Sequence, residues 1–379
     1  SRRLAGASGL PARLGGDEFA LLLSGPRCVD EATRLARALI DEVPRLELEG
    51  SSLALGLSIG MACLPADADS ADDAMQHADV ALYHAKRSGK GQLVRYSPAL
   101  GEARRQRLQL EQDLRDAIAA GALRFAYQPI FDRDGRVRCL EALARWQHPQ
   151  RGTVSPVDFV PVAEESGLIV ELGLALMRRA RDDLDNWLAA GLAPPPIAMN
   201  LSARQLRREA DRQRFLGRLD ELGFAPHELE FELTESVVFE DLHSPSSVLT
   251  HLQQRGFRLA IDDFGTGYSS LGYLRRIRAR KLKIDRMFVR GIHADPDNAL
   301  MVESILRVAH ALDMLAVAEG VETPADHALL LRLGCDLFQG FGLALPLDAD
   351  TAAAWLRAGG RSGRDGALAS SANGEFALS

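Results

Sequence analysis

From about residue 121 onward the chain repeats one hydrophobic pattern, in which a short apolar run ends in a polar residue and a longer helical or loop stretch follows. Strands that alternate with helices are typical of a parallel sheet covered by helices. Eight such runs over about 236 residues predict an α/β fold, a TIM-like (β/α)8 barrel. The predicted strands are residues 125–130, 137–145, 197–202, 229–235, 257–264, 281–285, 315–319 and 337–340.

The stretches between these runs have helical periodicity, and the segments before and after the barrel differ from it in composition and hydrophobic pattern. Residues 1–96 mix strand-like runs with helical patterns and predict a separate α/β domain, whereas residues 97–120 are charged and predict a connecting helix. The barrel then occupies 121–357, and residues 358–379, rich in Gly, Ser and Ala, predict a disordered tail. The predicted helices are residues 172–190, 203–222, 246–255, 298–312 and 324–333 in the barrel, and 30–42 and 70–87 before it.

Composition narrows the class of protein. The net charge of −7 disfavours a nucleic-acid binder with a broad basic face. No apolar run is long enough to span a membrane or to act as a signal peptide, so we expect a cytoplasmic protein without a membrane segment. The four cysteines are scattered, which argues against a disulfide framework and a thiolate zinc site. Among the 45 basic residues only Lys86, Lys90, Lys281 and Lys283 are lysines, the others being arginines.

Polar side chains of one chemical type follow the predicted strands. In a (β/α)8 barrel the carboxyl ends of the strands meet at the catalytic face, so these residues are expected to converge. Apart from one lysine they offer carboxylate and amide oxygens, which favour Mg²⁺ or Mn²⁺ over zinc or copper. The residues are Glu141, Asn200, Glu232, Glu235, Asp262, Asp263, Lys283, Glu319, Glu322 and Gln339.

Two metal ions that clamp an in-line displacement at phosphorus would suit so many acids, although one ion is also compatible with the pattern. The reaction class indicated is phosphoester hydrolysis. Each residue taken alone has a structural alternative, because a single acid at a strand end is commonly a helix cap or a salt-bridge partner. Asn200 could equally be the N-cap of the next helix. Lys283 could be an ordinary strand lysine, although its position at a barrel strand end favours a functional role.

Seven motifs, in order and spacing, resemble the EAL family of cyclic di-GMP phosphodiesterases over residues 121–350. This resemblance implies a modified (β/α)8 barrel whose first strand is antiparallel to the others. It also implies Mg²⁺- or Mn²⁺-dependent hydrolysis of the bacterial second messenger cyclic di-GMP to linear pGpG. The motifs are residues 141–145 (EALAR), 200–202 (NLS), 232–235 (ELTE), 262–270 (DDFGTGYSS), 283–286 (KIDR), 319–322 (EGVE) and 339–340 (QG).

The resemblance also implies roles for individual residues. Lys283 would orient or polarise the attacking water, Glu319 would be a general base or a ligand of a second ion, and Glu235 would anchor the loop 263–270. One ion would be held by Glu141, Asn200, Glu232 and Asp262, and a second by Asp262 and Asp263 with Glu319 nearby. Substrate contacts would come from Gln128, Leu143, Arg145, Glu322 and Gln339.

One departure from the family is visible, because Leu345 precedes Pro346 where the family usually carries a basic residue. This change could weaken substrate binding but affects none of the expected metal ligands, so we expect an active enzyme with cyclic di-GMP as its partner. The alternative is a non-catalytic cyclic di-GMP receptor or scaffold. Relatives often dimerise through the barrel, which makes a homodimer an expectation from the resemblance.

The first segment resembles the C-terminal half of the GGDEF diguanylate cyclase family. Its motif is Gly15, Gly16, Asp17, Glu18 and Phe19, and the family-like stretches 58–62 and 78–86 follow. Two glycines let a hairpin approach a nucleotide phosphate, and the acid after them can bind a metal. Because the upstream half of that family is missing here, we expect no cyclase activity from this chain. We also expect the natural protein to be longer, with a sensory part upstream. A bifunctional cyclase and phosphodiesterase in that longer protein is a further alternative.

Overall fold

The computed structural model describes residues 9–42, 47–48, 51–52, 56–235, 237–238, 247–265 and 271–362. The chain forms two compact units, Ser1–Leu110 and Glu111–Ser379. In the described part of the chain no helix is long and apolar enough to cross a membrane.

Within its described residues, the first unit contains small sheets and two complete helices. A hairpin is formed by strands β1 and β2, which pair antiparallel, and short strands β3 and β4 pair in the same way. Strand β5 begins at Ile59, within the apolar run 53–61 whose pattern predicts a strand, and residues 53–55 of that run lie outside the described residues. The elements are β1 (Gly9–Gly15), β2 (Glu18–Leu23), α1 (Cys28–Glu42), β3 (Glu47–Leu48), β4 (Ser51–Ser52), β5 (Ile59–Met61), α2 (Ala71–Arg87) and β6 (Leu93–Arg95).

Strands β5 and β6 are parallel, and helix α2 connects them as a crossover. Ser70 caps α2 by accepting a hydrogen bond from the Asp73 N–H at 3.1 Å. Gly60 lets the helix approach the strand closely, because a Cβ there would lie 2.0 Å from the Ala78 carbonyl oxygen. The charged segment after β6, where residues 97–120 predict a connecting helix, forms helix α3 (Pro98–Ala119).

Eight strands of the second unit close into a barrel, which confirms the predicted fold class. The strands from β8 to β15 that line it run parallel to one another, and β7 is antiparallel to both of its neighbours, β8 and β15. The inverted first strand expected from the EAL resemblance is therefore present. The barrel strands are β7 (Leu123–Asp132), β8 (Val137–His148), β10 (Ile197–Asn200), β11 (Leu229–Thr234), β12 (Arg258–Phe264), β13 (Lys281–Ile284), β14 (Leu315–Ala318) and β15 (Leu337–Phe338).

Two short strands extend this sheet: β9 (Gly152–Val154) pairs with β8, and β16 (Leu347–Asp348) pairs with β7. Helices surround the barrel, and buried Ile130, Cys139, Ala198, Val317 and Leu337 pack together within it. The helices are α4 (Pro156–Ser166), α5 (Ile169–Ala189), α6 (Glu209–Leu222), α7 (Val248–Gln254), α8 (Leu271–Ile277), α9 (Arg286–Val289), α10 (Pro296–Ala311), α11 (Pro324–Leu333) and α12 (Ala349–Arg357).

Helices α4, α8, α9 and α12 are not among the predicted helices, and one predicted helix is split. Helix α4 is not predicted by the sequence pattern, because Pro156 and the interior Pro161 interrupt the helical periodicity. The predicted helix 203–222 is split into a 3₁₀ turn, Ala203–Leu206, and α6, with Arg208 extended between them. The turn is stabilised by a capping box, in which Ser202 and Gln205 satisfy each other's backbone N–H groups.

The C-terminal segment also differs in part from the predicted disordered tail. The Ser362 N–H donates to the Gly135 carbonyl at 3.0 Å, and Arg361 forms an antiparallel bridge with Arg136. Residues 358–362 are therefore ordered against the barrel. The remainder of the predicted tail, 363–379, lies outside the described residues.

Candidate active site

Lys283 occupies the centre of a carboxylate shell inside the barrel. Its side chain is 1% exposed, although an unpaired lysine is among the least favourable residues to bury. The shell brings together four of the predicted acids around one ammonium. The Lys283 Nζ lies 2.6 Å from Glu319 Oε1, 2.9 Å from Glu232 Oε2, 3.0 Å from Asp262 Oδ1 and 3.5 Å from Glu141 Oε1.

Strand periodicity explains this convergence, because residues two apart on a strand face the same side. Glu141, Glu232 and Lys283 point into the barrel from β8, β11 and β13. Glu230 and Lys281 therefore also point inward, one layer deeper, and the Lys281 Nζ lies 2.7 Å from Glu230 Oε1. The sequence prediction missed this buried pair, although the repeated two-residue spacing of glutamates and of lysines was a visible signal.

Three amides complete the shell on the side of Glu141. The Asn200 Nδ2 donates to Glu141 Oε1 at 3.3 Å, and the Gln339 Nε2 donates to Glu141 Oε2. The Gln339 Nε2 also donates to Gln128 Oε1 at 3.1 Å. Because Ser202 caps the following turn, the alternative assignment of Asn200 as an N-cap is wrong. Asn200 and Gln339 thus bond the Glu141 carboxylate, and Gln128 is linked to it through Gln339.

The adjacent acids Asp262 and Asp263 would point to opposite faces of a regular strand. The backbone breaks this alternation: Asp263 has a φ of +53°, and the pairing register between β12 and β13 shifts after Ile261. As a result, oxygens of Asp262, Asp263 and Glu319 all lie within 4.8 Å of one another. The bulge thus builds an acidic cluster of the kind that can hold a metal ion.

Burial and crowding shift the pKa values of these groups. Burial would lower the pKa of Lys283, but the surrounding carboxylates of Asp262, Glu141, Glu232 and Glu319 outweigh it and raise that pKa well above its ordinary value. Lys283 is therefore protonated. Burial also raises the pKa of Glu319 to about 8, although Lys283 opposes it, and raises the pKa of Asp263 to about 6 with the help of Asp262.

Glu235, at the end of the ELTE motif, reaches the loop that follows β12. The Gly265 N–H donates to Glu235 Oε1 at 3.3 Å. This contact joins the two segments that the EAL resemblance links, at the first residues of the loop 263–270. Residues 266–270 lie outside the described part of the chain, so the anchoring role of Glu235 for the whole loop stays a prediction.

The predicted substrate residues fall into three places, of which the first is the shell, with Gln128 and Gln339. Leu143, Arg145 and Asn200 line a cleft of about 590 Å³ beside the shell, and burial lowers the pKa of Arg145. Arg145 remains charged, because a guanidinium has a very high intrinsic pKa. Glu322 lies outside the carboxylate shell and is exposed, and its carboxylate accepts a hydrogen bond from the Arg290 Nε at 2.9 Å.

The GGDEF motif of the first unit forms the turn of the β1–β2 hairpin. Gly16 has a φ of +50°, a left-handed conformation that favours glycine, and its carbonyl accepts a hydrogen bond from the Arg13 Nη2 at 2.8 Å. Gly15 pairs with Glu18 across the turn. Asp17, Glu18 and Phe19 are exposed, so the structure agrees with the expected hairpin geometry of the motif.

The fold and site define a class of protein, a (β/α)8 barrel with an oxygen-rich acidic site among its strand ends. Residues 111–346 match the family model of the EAL domain, and the chain belongs to the EAL domain family. Residues 2–92 match the model of the diguanylate cyclase, GGDEF domain. The family expected from the sequence motifs is therefore confirmed.

The chain is similar to several named proteins. It is 38% identical to the bifunctional diguanylate cyclase/cyclic di-GMP phosphodiesterase MucR of Pseudomonas aeruginosa, over 89% of this chain and 50% of that protein. It is 36% identical to the cyclic di-GMP phosphodiesterase PdeR of Escherichia coli, over 91% of this chain and 52% of that protein. The chain thus spans about half the length of the curated relatives it matches.

The barrel is also similar to solved structures. The structure described as PaMucR phosphodiesterase in complex with c-di-GMP matches with a TM-score of 0.60 and 40% identity, over 64% of this chain and 99% of that chain. The EAL domain of Mycobacterium smegmatis DcpA matches with a TM-score of 0.52 and 34% identity, over 64% of this chain and 98% of that chain.

Proposed function

We propose that the second unit is a metal-dependent phosphodiesterase that hydrolyses cyclic di-GMP to linear pGpG. The observation that carries this proposal is the shell of four carboxylates around the single buried ammonium of Lys283. One positive charge cannot balance four carboxylates, so their mutual repulsion favours the binding of further cations. The names of the relatives, cyclic di-GMP phosphodiesterases among them, support the same substrate.

The donor set fits a hard divalent cation, Mg²⁺ or Mn²⁺, since it consists of carboxylate and amide oxygens without histidine or cysteine. The Glu232 Oε1 is buried without a hydrogen-bond partner, which leaves an acceptor for an ion. We propose that Glu141, Asn200, Glu232 and Asp262 hold one ion and that Asp262, Asp263 and Glu319 hold a second. When bound, such ions supply charge neutralisation at the phosphoryl group and a more acidic water.

The protein groups then have separate tasks. Lys283, protonated and fixed by four carboxylates, orients the attacking water and offsets negative charge that develops at phosphorus. Glu319 lies 2.6 Å from that ammonium, where it serves either as the base that accepts the proton of the water or as a ligand of the second ion. Glu235 holds the start of the loop after β12 through Gly265.

Substrate binding is proposed for the residues that surround this centre. Arg145, half-buried in the cleft, binds a phosphate, and Leu143 packs against the nucleotide from the same wall. The Gln339 amide donates to both Gln128 and Glu141 at the base of the site. For Glu322, a contact with the far nucleotide requires that its bond to Arg290 be released or shared.

Some proposals concern the whole chain. The domain boundaries at 96, 120 and 357, a homodimer through the barrel and a cytoplasmic location follow from the sequence and stay predictions. So does the lack of diguanylate cyclase activity in this chain.

The direct test of the proposed function is incubation of the purified chain with cyclic di-GMP and Mg²⁺ or Mn²⁺, with pGpG followed by chromatography. We expect linear pGpG to accumulate with time. Binding of cyclic di-GMP by folded protein without product formation would instead support the receptor alternative and would contradict hydrolysis.

Metal binding is expected to become tighter as the pH rises from about 6 to about 8.5. Carboxyl groups with raised pKa values keep their protons at low pH, and a metal ion must displace those protons before it binds. The groups concerned are Glu319, with a pKa of about 8, and Asp263, with a pKa of about 6. Calorimetric titration of the metal-free protein with Mn²⁺, in buffers that differ in ionisation enthalpy, measures affinity and proton release together. An affinity independent of pH would contradict the assignment of these two carboxylates as ligands.

A further inference from the structure

A second cavity continues the cleft beside the carboxylate shell. It has a volume of about 760 Å³ and lies between the end of α4, the start of α5, and the segment that joins the 3₁₀ turn to α6. Glu164, Ile169, Arg204 and Arg207 line both cavities. The two spaces therefore form one groove, which leads from a mouth lined by five arginines and four acids to Arg145 and Asn200.

The arginines of this groove differ in their partners. Arg214 pairs with Glu171 at 3.0 Å, and the Arg204 Nη1 donates to the Glu164 carbonyl at 2.7 Å. Arg207 is exposed, and within the described residues it makes neither a hydrogen bond nor an ion pair. Its guanidinium is thus a positive charge without a partner among the described residues, at the junction of the two cavities.

An unpaired arginine here would reduce the repulsion between the acidic site and an anionic substrate. The chain carries a net charge of −7, and the shell around Lys283 holds four carboxylates, whereas the proposed substrate carries two negative phosphodiesters. An anion that approaches this site is repelled unless positive groups lie along its path. A guanidinium suits this task because its planar fork can bind a phosphate through two donors.

We propose that Arg207, supported by Arg204, binds the anionic dinucleotide at the mouth of the groove and guides it toward Arg145. The proposal rests on the proposed function, since it names a substrate-binding residue for that reaction. Its effect lies in binding and association, and the chemical step at Lys283 is left unchanged.

The test compares steady-state kinetics of the wild-type protein, R207E and R332E with cyclic di-GMP at two salt concentrations. Arg332 is a matched control, because it is an exposed arginine of α11 that lines neither cavity and, among the residues that the structure describes, bonds only a carbonyl of its own helix. Both variants change the net charge equally. We expect R207E to raise KM about fivefold to thirtyfold with kcat within about twofold of wild type, and to weaken the dependence of kcat/KM on salt.

R332E is expected to keep KM within about twofold of wild type. A KM for R207E as low as that of R332E would overturn the proposal, and so would a loss of kcat at unchanged KM. If the wild-type protein forms no product, the proposed function fails by itself. Calorimetric titration of cyclic di-GMP into the same three proteins then tests Arg207 separately, and equal affinities for R207E and R332E would overturn its role.

Discussion

Replacement of Lys283 by methionine is expected to lower the rate of cyclic di-GMP hydrolysis by a factor of about 10³ to 10⁴. Methionine keeps much of the volume of the side chain but removes the ammonium that lies within 3.0 Å of Glu232, Asp262 and Glu319. The attacking water then loses its orienting group, and charge that develops at phosphorus loses a fixed cation. The measurement is kcat at saturating Mn²⁺ and substrate.

The control for this variant is Lys283→Arg, which keeps the positive charge but not the compact ammonium. We expect it to fold like the wild-type protein, as judged by circular dichroism in the presence of Mn²⁺, and to remain strongly impaired in turnover. A rate close to wild type in the methionine variant would remove Lys283 from the chemical step.

Replacement of Glu141 by glutamine is expected to raise the metal concentration needed for half-maximal activity by at least about 10²-fold. Glu141 is a buried carboxylate whose oxygens accept from the amides of Asn200 and Gln339. The neutral amide keeps the size of the side chain but removes one negative charge and turns one acceptor into a donor. Activity measured as a function of Mn²⁺ concentration tests this expectation.

Glu230 supplies the matched control, because it is fully buried on the same face of the barrel but pairs with Lys281. Glu230→Gln is expected to cost about 3 kcal/mol or more in the free energy of unfolding, since it leaves a buried lysine without its partner. Its metal requirement should change by less than about threefold, as it lies one layer below the ligands. An equal change in both variants would contradict the assignment of Glu141 as a ligand.

Much of the site could be predicted because strand periodicity and motif order are local properties of a sequence. Glu141, Glu232 and Lys283 lie on inward faces of strands, so a correct barrel topology was enough to bring them together. Asn200 was ambiguous by itself. Its alternative as an N-cap could be excluded only from the structure, in which Ser202 caps the following turn.

Other features depend on tertiary packing and could not be predicted in this way. The positive φ of Asp263 and the register shift beside it turn two adjacent acids toward one cluster. The hydrophobic pattern of the sequence predicts neither of these backbone features. Helix α4 could not be predicted, because it contains Pro156 and Pro161, and prolines at such spacing are typical of a loop. The groove that Arg207 lines arises from this helix and from the split at Arg208, so it could not be predicted without them.

The most direct test of the central claim is the hydrolysis of cyclic di-GMP by chelator-treated protein to which Mn²⁺ is added back in steps. We expect no pGpG before the addition, and a rate that rises with Mn²⁺ until it saturates, because the carboxylates around Lys283 require a cation before the substrate can bind and react. Full activity in the metal-free protein, or no product from folded protein at any Mn²⁺ concentration, would contradict it.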